Sequence, residues 1–252
     1  MTAAPVSGHP AVDRYLAEGF DRVPGMSSRF AAAICGHLVR RQTALGIQGA
    51  VAEIGAFEGR FLIAMALGLE PGERAFALDT FDWPDAGVRQ RFLANCRANG
   101  LADEQVAAVT ADSRRIDRAE LARTLQGAPV RFFHVDGDHA PASLAHDLGL
   151  AHGVLHPQGL ICIDDMLHPE FPFLVLAVHE YLRAHPEMRL VCIIDREDIV
   201  AAAKFLICRS DAVPLYEADL MASFRPVHYV MGGDALGHLC VVLTPKPRTF
   251  AV

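Results

Sequence analysis

From residue 50 onward, short apolar runs alternate with segments whose apolar residues recur at helical spacing. The pattern predicts strands at 50–55, 75–79, 106–112, 130–136 and 160–164, and helices at 58–69, 118–125, 142–155 and 173–184. A further helix carries Val88, Phe92, Leu93 and Cys96 on one face, and Pro157-Gln-Gly159 reads as the stop after the 142–155 helix. Strand and helix in strict alternation imply right-handed crossovers and a mostly parallel sheet with helices on both faces. Strands at 189–195 and 205–208 bring the sheet to seven, and the run at 239–243 predicts an extra C-terminal strand. Before this core, residues 28–45 read as a helix following the break at Pro24-Gly25. Periodicity alone leaves open whether that N-terminal cap covers the ligand edge or packs on the sheet. The expected organisation is one domain, 1–252, divided into a cap (1–48), a core (49–210) and a C-terminal extension (211–252).

In open parallel sheets, ligands bind beyond the carboxyl ends of the strands. Glu53, Asp79, Asp112, Asp136 and Asp164 all fall at or just before such ends. The densest stretches are Asp136-Gly-Asp138-His139 after the fourth strand and Asp164-Asp165 after the fifth. Alone, each reads equally well as a turn or a helix cap. On neighbouring strands about 5 Å apart they converge, and oxygen-only ligands favour a hard divalent ion such as Mg2+.

The first strand ends in Glu53-Ile-Gly55-Ala-Phe-Glu58-Gly59. A dinucleotide loop would need Gly-x-Gly-x-x-Gly, and here carboxylates stand where the first and third glycines belong, which repels a pyrophosphate. A positively charged ligand suits the loop better. The acid followed by Gly-x-x-x-Gly resembles the first motif of class I S-adenosylmethionine (SAM) dependent methyltransferases, and the stretch from His134 to Met166 resembles their metal-dependent small-molecule O-methyltransferases, including sugar-modifying enzymes of natural-product pathways. The resemblance spans roughly residues 49–166. It implies a Rossmann-like α/β fold, with Glu53, Gly55, Ala56, Gly59 and Asp136 around the methionine portion of SAM. It also implies Asp79 and Thr80 at the ribose, and Asp112 and Ser113 near the adenine. Asp136, Asp164 and Asp165 are implied as metal ligands and Asp138 as general base, with His139 and His168 as alternatives. Bound metal lowers the pKa of an acceptor hydroxyl, and a base then removes its proton.

Composition narrows the partners. With a net charge of -7 and 52% hydrophobic residues, the 252-residue chain reads as a globular protein with a small-molecule acceptor, and neither nucleic acid nor membrane is expected to bind it. Residues 1–10 show no basic start or apolar run, so the expected location is cytoplasmic. The six cysteines form no Cys-x-x-Cys pair and are expected to be reduced and buried. His134, inside a strand, is expected to be a hydrogen-bonded core residue, and Met231-Gly-Gly-Asp234 a turn or a substrate loop. The extra C-terminal strands offer an edge for pairing across a dimer.

Three rivals share some of these features. A haloacid dehalogenase-type phosphotransferase would place Asp-x-Asp after the first strand and a lysine between the clusters. A nucleotide-sugar glycosyltransferase leaves the glycine loop unexplained, and a SAM-binding protein without catalysis keeps the same motifs.

Overall fold

The computed structural model describes residues 6–225 and 228–247. Residues 1–5, part of the stretch read for a targeting signal, and 226–227 and 248–252, part of the expected C-terminal extension, lie outside it. Five strands run as the alternation predicts: β1 (Ala50–Ile54), β2 (Ala75–Asp79), β3 (Val106–Thr110), β4 (Val130–Val135) and β5 (Leu155–Met166). They are followed by β6 (Met188–Ile194), β7 (Ala203–Arg209), β8 (His228–Ala235) and β9 (His238–Pro247). All nine lie in one sheet of order β3-β2-β1-β4-β5-β7-β6-β9-β8. β1 to β5 are mutually parallel, and β7 is antiparallel to both neighbours. The predicted seven strands are thus extended by two at one edge.

Two apolar layers enclose the sheet. One face is covered by α2 (Arg29–Ala44), α3 (Arg60–Ala66), α4 (Val88–Ala98) and α8 (Val213–Phe224), through residues such as Ile34, Ile63, Phe92 and Tyr216. The other is covered by α5 (Arg118–Thr124), α6 (Pro141–Val154) and α7 (Leu174–Ala184), through Leu121, Leu148 and Val178. The question of the cap resolves by segment. α2, started by a hydrogen bond from Ala31 N–H to the Ser28 hydroxyl, packs on α3 and β4. The residues just before it, Pro24 to Ser27, line a cavity at the ligand edge. Ahead of them, α1 (Pro10–Arg14) continues into one π turn and one 3-10 turn ending at Arg22.

Three expectations change. The helix ahead of Pro157-Gln-Gly159 ends at Val154, close to the predicted stop, but β5 begins at Leu155 rather than 160; the register on β4 jumps from Val130↔Leu155 to Phe132↔Leu160, and the intervening residues bulge. Met231 to Asp234 form neither a turn nor a substrate loop but part of edge strand β8, four strand positions from β5 and so about 19 Å away. The C-terminal extension, for which the pattern predicts one extra strand at 239–243, also contains α8 and β8. All six cysteines are free and buried, as expected. Among the described residues no helix is long and apolar enough to cross a membrane.

Candidate active site

The carboxyl ends of β1, β2, β4 and β5 meet at the predicted edge, and backbone geometry explains the glycine loop. Asp136 N–H donates to the Ile54 carbonyl at 2.9 Å, so the chain leaving β4 passes directly against the loop after β1. Gly55 has φ +83°, and a Cβ there would lie 1.7 Å from the Asp136 carbonyl oxygen. No side chain fits in that space or prefers that conformation. Gly59, φ +90°, precedes α3 and faces the Phe92 ring, and it lines neither cavity described next.

Two cavities share Gly55, Asp79, Asp136 and Gly137. The first, of about 170 Å³, is lined by Ser27, Glu53, Ala56 and His139 besides the shared residues. The second, of about 280 Å³, adds Thr80, Asp112, Ser113 and Asp138. Between them stands Asp79, whose two oxygens each accept a backbone N–H at 2.8 Å, from Phe57 and from Phe81. Those bonds fix the carboxylate and leave it further acceptor capacity for a diol. Thr80 donates its hydroxyl to Asp82 at 2.6 Å. Asp112 is held by Arg114 through Nε at 2.9 Å and Nη2 at 3.0 Å, and that guanidinium lowers its pKa.

Behind the first cavity lies a buried polar chain. Glu53 Oε1 lies 2.6 Å from His134 Nδ1, while Glu53 Oε2 is buried with no hydrogen-bond partner. His134 Nε2 lies 3.4 Å from Asp164 Oδ2, and Asp164 is ion-paired with Lys204 of β7. Ser27 Oγ sits 3.3 Å from the same ammonium. Burial and Lys204 push the His134 pKa down, but its bonds to Asp164 and Glu53 prevail and raise it to about 10. Burial works against ionisation of Asp164, and Lys204 and His134 overcome it, holding the carboxyl well below the usual range. Asp136 is shifted the other way, upward, by burial and then by the neighbouring Asp164. His134 is therefore a hydrogen-bonded buried residue, as expected, but one wired to the cavity wall.

At the mouth, His139 Nε2 lies 2.7 Å from Asp165 Oδ2, and this contact chiefly raises the His139 pKa. The imidazole stacks on Phe171, ring centres 4.1 Å apart and 18° from parallel. His168 stacks on the same ring at 4.8 Å and lines neither cavity. Asp165 has φ +57° and Leu167 φ +60°, in the left-handed region that costs a non-glycine residue about 1–3 kcal/mol.

The three predicted ligands do not assemble as one set. Single donor atoms of Asp136, His139 and Asp165 lie within 4.8 Å of one another, and so do those of Glu53, His134 and Asp136; Asp164 belongs to neither group. Asp138 and His139 stand at different cavities. Asp138 accepts the Ser143 hydroxyl at 2.7 Å, faces Arg114 at 3.6 Å and lines the second cavity, whereas His139 lines the first. Sequence reasoning missed Lys204, Ser27 and Phe171. A lysine inside the apolar run Ala203-Lys-Phe-Leu-Ile-Cys208 was the available signal for the first of these, since lysine is almost never fully buried unless paired.

Asp147 of α6, under Gly137, is 1% exposed and neither oxygen makes a hydrogen bond of ordinary geometry. Burial lifts its pKa from 3.8 to about 6, against a smaller downward pull from Ser113. Because the folded-state value is raised, the group costs nothing below about pH 4, and the cost builds as pH rises from about 4 to 6 and is fully present above that. Asp147→Asn should therefore gain about 1–2 kcal/mol in urea unfolding at pH 7.5 and nothing at pH 4. An equal effect at both pH values would rule out this ionisation cost.

Residues 52–166 match the family model described as a methyltransferase domain. No sequence among the curated proteins matches the chain. Among solved structures, the chain is similar to a putative O-methyltransferase from Klebsiella pneumoniae, at 21% identity and TM-score 0.56, covering 79% of this chain and 89% of that one. It is also similar to TomG of Streptomyces achromogenes, an O-methyltransferase involved in tomaymycin synthesis and solved with SAM, at 20% identity and TM-score 0.58, with the same coverage. A third likeness is to CalS11, a TDP-rhamnose 3'-O-methyltransferase of calicheamicin biosynthesis, at 17% identity and TM-score 0.54, covering 79% of this chain and 91% of that one. At these identities the structures establish the fold alone, and the family match covers its central part, residues 52–166.

Proposed function

We propose that this chain, whose residues 52–166 match a methyltransferase-domain model, is a SAM-dependent enzyme that methylates a hydroxyl of a small molecule, such as a sugar or a catechol-like natural-product intermediate, with the help of a divalent cation. The observation that carries this reading is the pair of acids at the two cavities. Glu53 presents a buried, unpaired Oε2 beside the first cavity, suited to an ammonium group, and Asp79 stands fixed between both cavities, suited to a ribose diol. Bound SAM supplies an electrophilic methyl on a sulfonium. Glu53, Gly55, Ala56 and Asp136 would surround its methionine end, and Asp79, Thr80, Asp112 and Ser113 its nucleoside.

His139 is the proton acceptor in this reading. Asp165 holds Nε2, and Nδ1, which has no partner among the described residues, is left to take the proton. Phe171 fixes the ring plane. Asp136 and Asp165 fit a hard cation, since Mg2+ commonly uses only one or two carboxylates and fills the rest of its shell with water and substrate oxygens. Such an ion supplies Lewis acidity to an acceptor oxygen. Met26 and Trp83, 50% and 65% exposed at the rim of the first cavity, offer apolar contact to an acceptor.

Calorimetric titration tests the cofactor. SAM should bind the chain with or without EDTA, and Asp79→Ala should weaken binding by about ten- to a hundredfold, the loss of two hydrogen bonds to a charged group. Methyl transfer should stop in EDTA. Absence of SAM binding at millimolar ligand would overturn the function, and unchanged turnover in EDTA would remove the metal from it.

A further inference from the structure

Lys204 lies across from the irregular end of β5, between the registered pairs Ile163↔Phe205 and Met166↔Ala203. It is 1% exposed. Its ammonium contacts Asp164 directly and lies 3.3 Å from Ser27 Oγ, 3.4 Å from His134 Nε2 and 4.7 Å from the centre of the Phe61 ring. The Asp164 oxygen that points toward the neighbouring strand is the one this ammonium occupies, and its other oxygen accepts the Asp165 N–H at 2.8 Å. A divalent ion on Asp164 would have to displace the ammonium or sit a few ångströms from it, where the interior screens like charges poorly.

We propose that Lys204 is a resident cation that withdraws Asp164 from the metal's donor set, leaving Asp136 and Asp165 as the strand-end carboxylates that hold the ion. This rests on the metal component of the proposed function. One internal positive charge balances the buried Asp164 carboxylate, and it ties the covering segment to the sheet through Ser27. The exchangeable ion is confined to the outer carboxylates, next to His139, where an acceptor enters.

The test is Mn2+ binding to the full chain, followed by calorimetry and by the loss of the free-Mn2+ electron paramagnetic resonance signal, without acceptor. Lys204→Met with Asp164→Asn keeps the local net charge and all the proposed donors, so it should bind Mn2+ within threefold of wild type. Asp165→Asn should weaken binding at least tenfold. Lys204→Met alone frees Asp164 and should tighten binding at least tenfold; should that variant fail to fold, the double variant carries the test. A loss beyond threefold in the double variant would make Asp164 a ligand and overturn the proposal, as would a folded Lys204→Met that does not bind more tightly. Wild type that takes up no Mn2+ at millimolar concentration also overturns it, and SAM titration of the same samples reports separately on the methyltransferase reading.

Discussion

His139→Ala is expected to lower kcat by about 10²–10⁴-fold, the usual contribution of a positioned general base, while leaving SAM affinity within about threefold. The reason is placement. His139 stands at the first cavity with Nε2 against Asp165 and its ring stacked on Phe171, so one nitrogen is anchored and the other is available. Asp138, one residue earlier, points to the other cavity and is engaged by Ser143. Asp138→Asn should accordingly change kcat by less than about tenfold, well short of a lost general base. Single-turnover rates for both variants at saturating SAM and metal decide the matter. If Asp138→Asn is the severely slowed variant and His139→Ala is not, the proton leaves by the other side of the loop and the assignment fails.

Lys204→Met is expected to destabilise the fold by about 3–5 kcal/mol, because removing one partner of a buried ion pair strands the other charge. Asp164 would remain in the interior with no cation but His134, itself bonded to Glu53, and the Ser27 hydroxyl near the oxygen that Lys204 leaves. Adding Asp164→Asn removes the stranded charge and should restore most of that loss, since neutral replacement of a whole buried pair is often tolerated. Urea unfolding of the two single variants and the double variant gives the coupling directly. Near-additive losses would mean that the two groups act independently and that their close approach contributes nothing specific.

The amino-acid pattern carried the α/β alternation because each parallel strand, buried on both faces, must be a short continuous apolar run, and each crossover helix must show a 3.6-residue period. It flagged Gly55 and Asp79 because a left-handed turn at a strand end favours glycine whatever packs against it, and a carboxylate at the next strand end is cradled by amides of the loops after β1 and β2. The edge hairpin was only half legible. β9 has an apolar core at 239–243, but β8 passes through Met231-Gly-Gly-Asp234, whose composition is that of a turn and whose pairing depends on a partner strand.

Roles within Asp136-Gly-Asp138-His139 and Asp164-Asp165 were beyond the sequence for a different reason. Adjacent residues in extended chain point to opposite sides, so which carboxylate faces which cavity depends on how the loop turns, and here Asp165 and Leu167 turn through left-handed conformations. The residue types determined, without the fold, that acids gather at one sheet edge beside a glycine loop suited to a cationic cofactor. Tertiary structure alone decided that Lys204, 40 positions from Asp164, neutralises that aspartate, and that His139 rather than Asp138 stands beside Asp165. Long-range pairing across β5 and β7 places those charges in contact, and a local pattern contains no information on which distant strand will lie alongside.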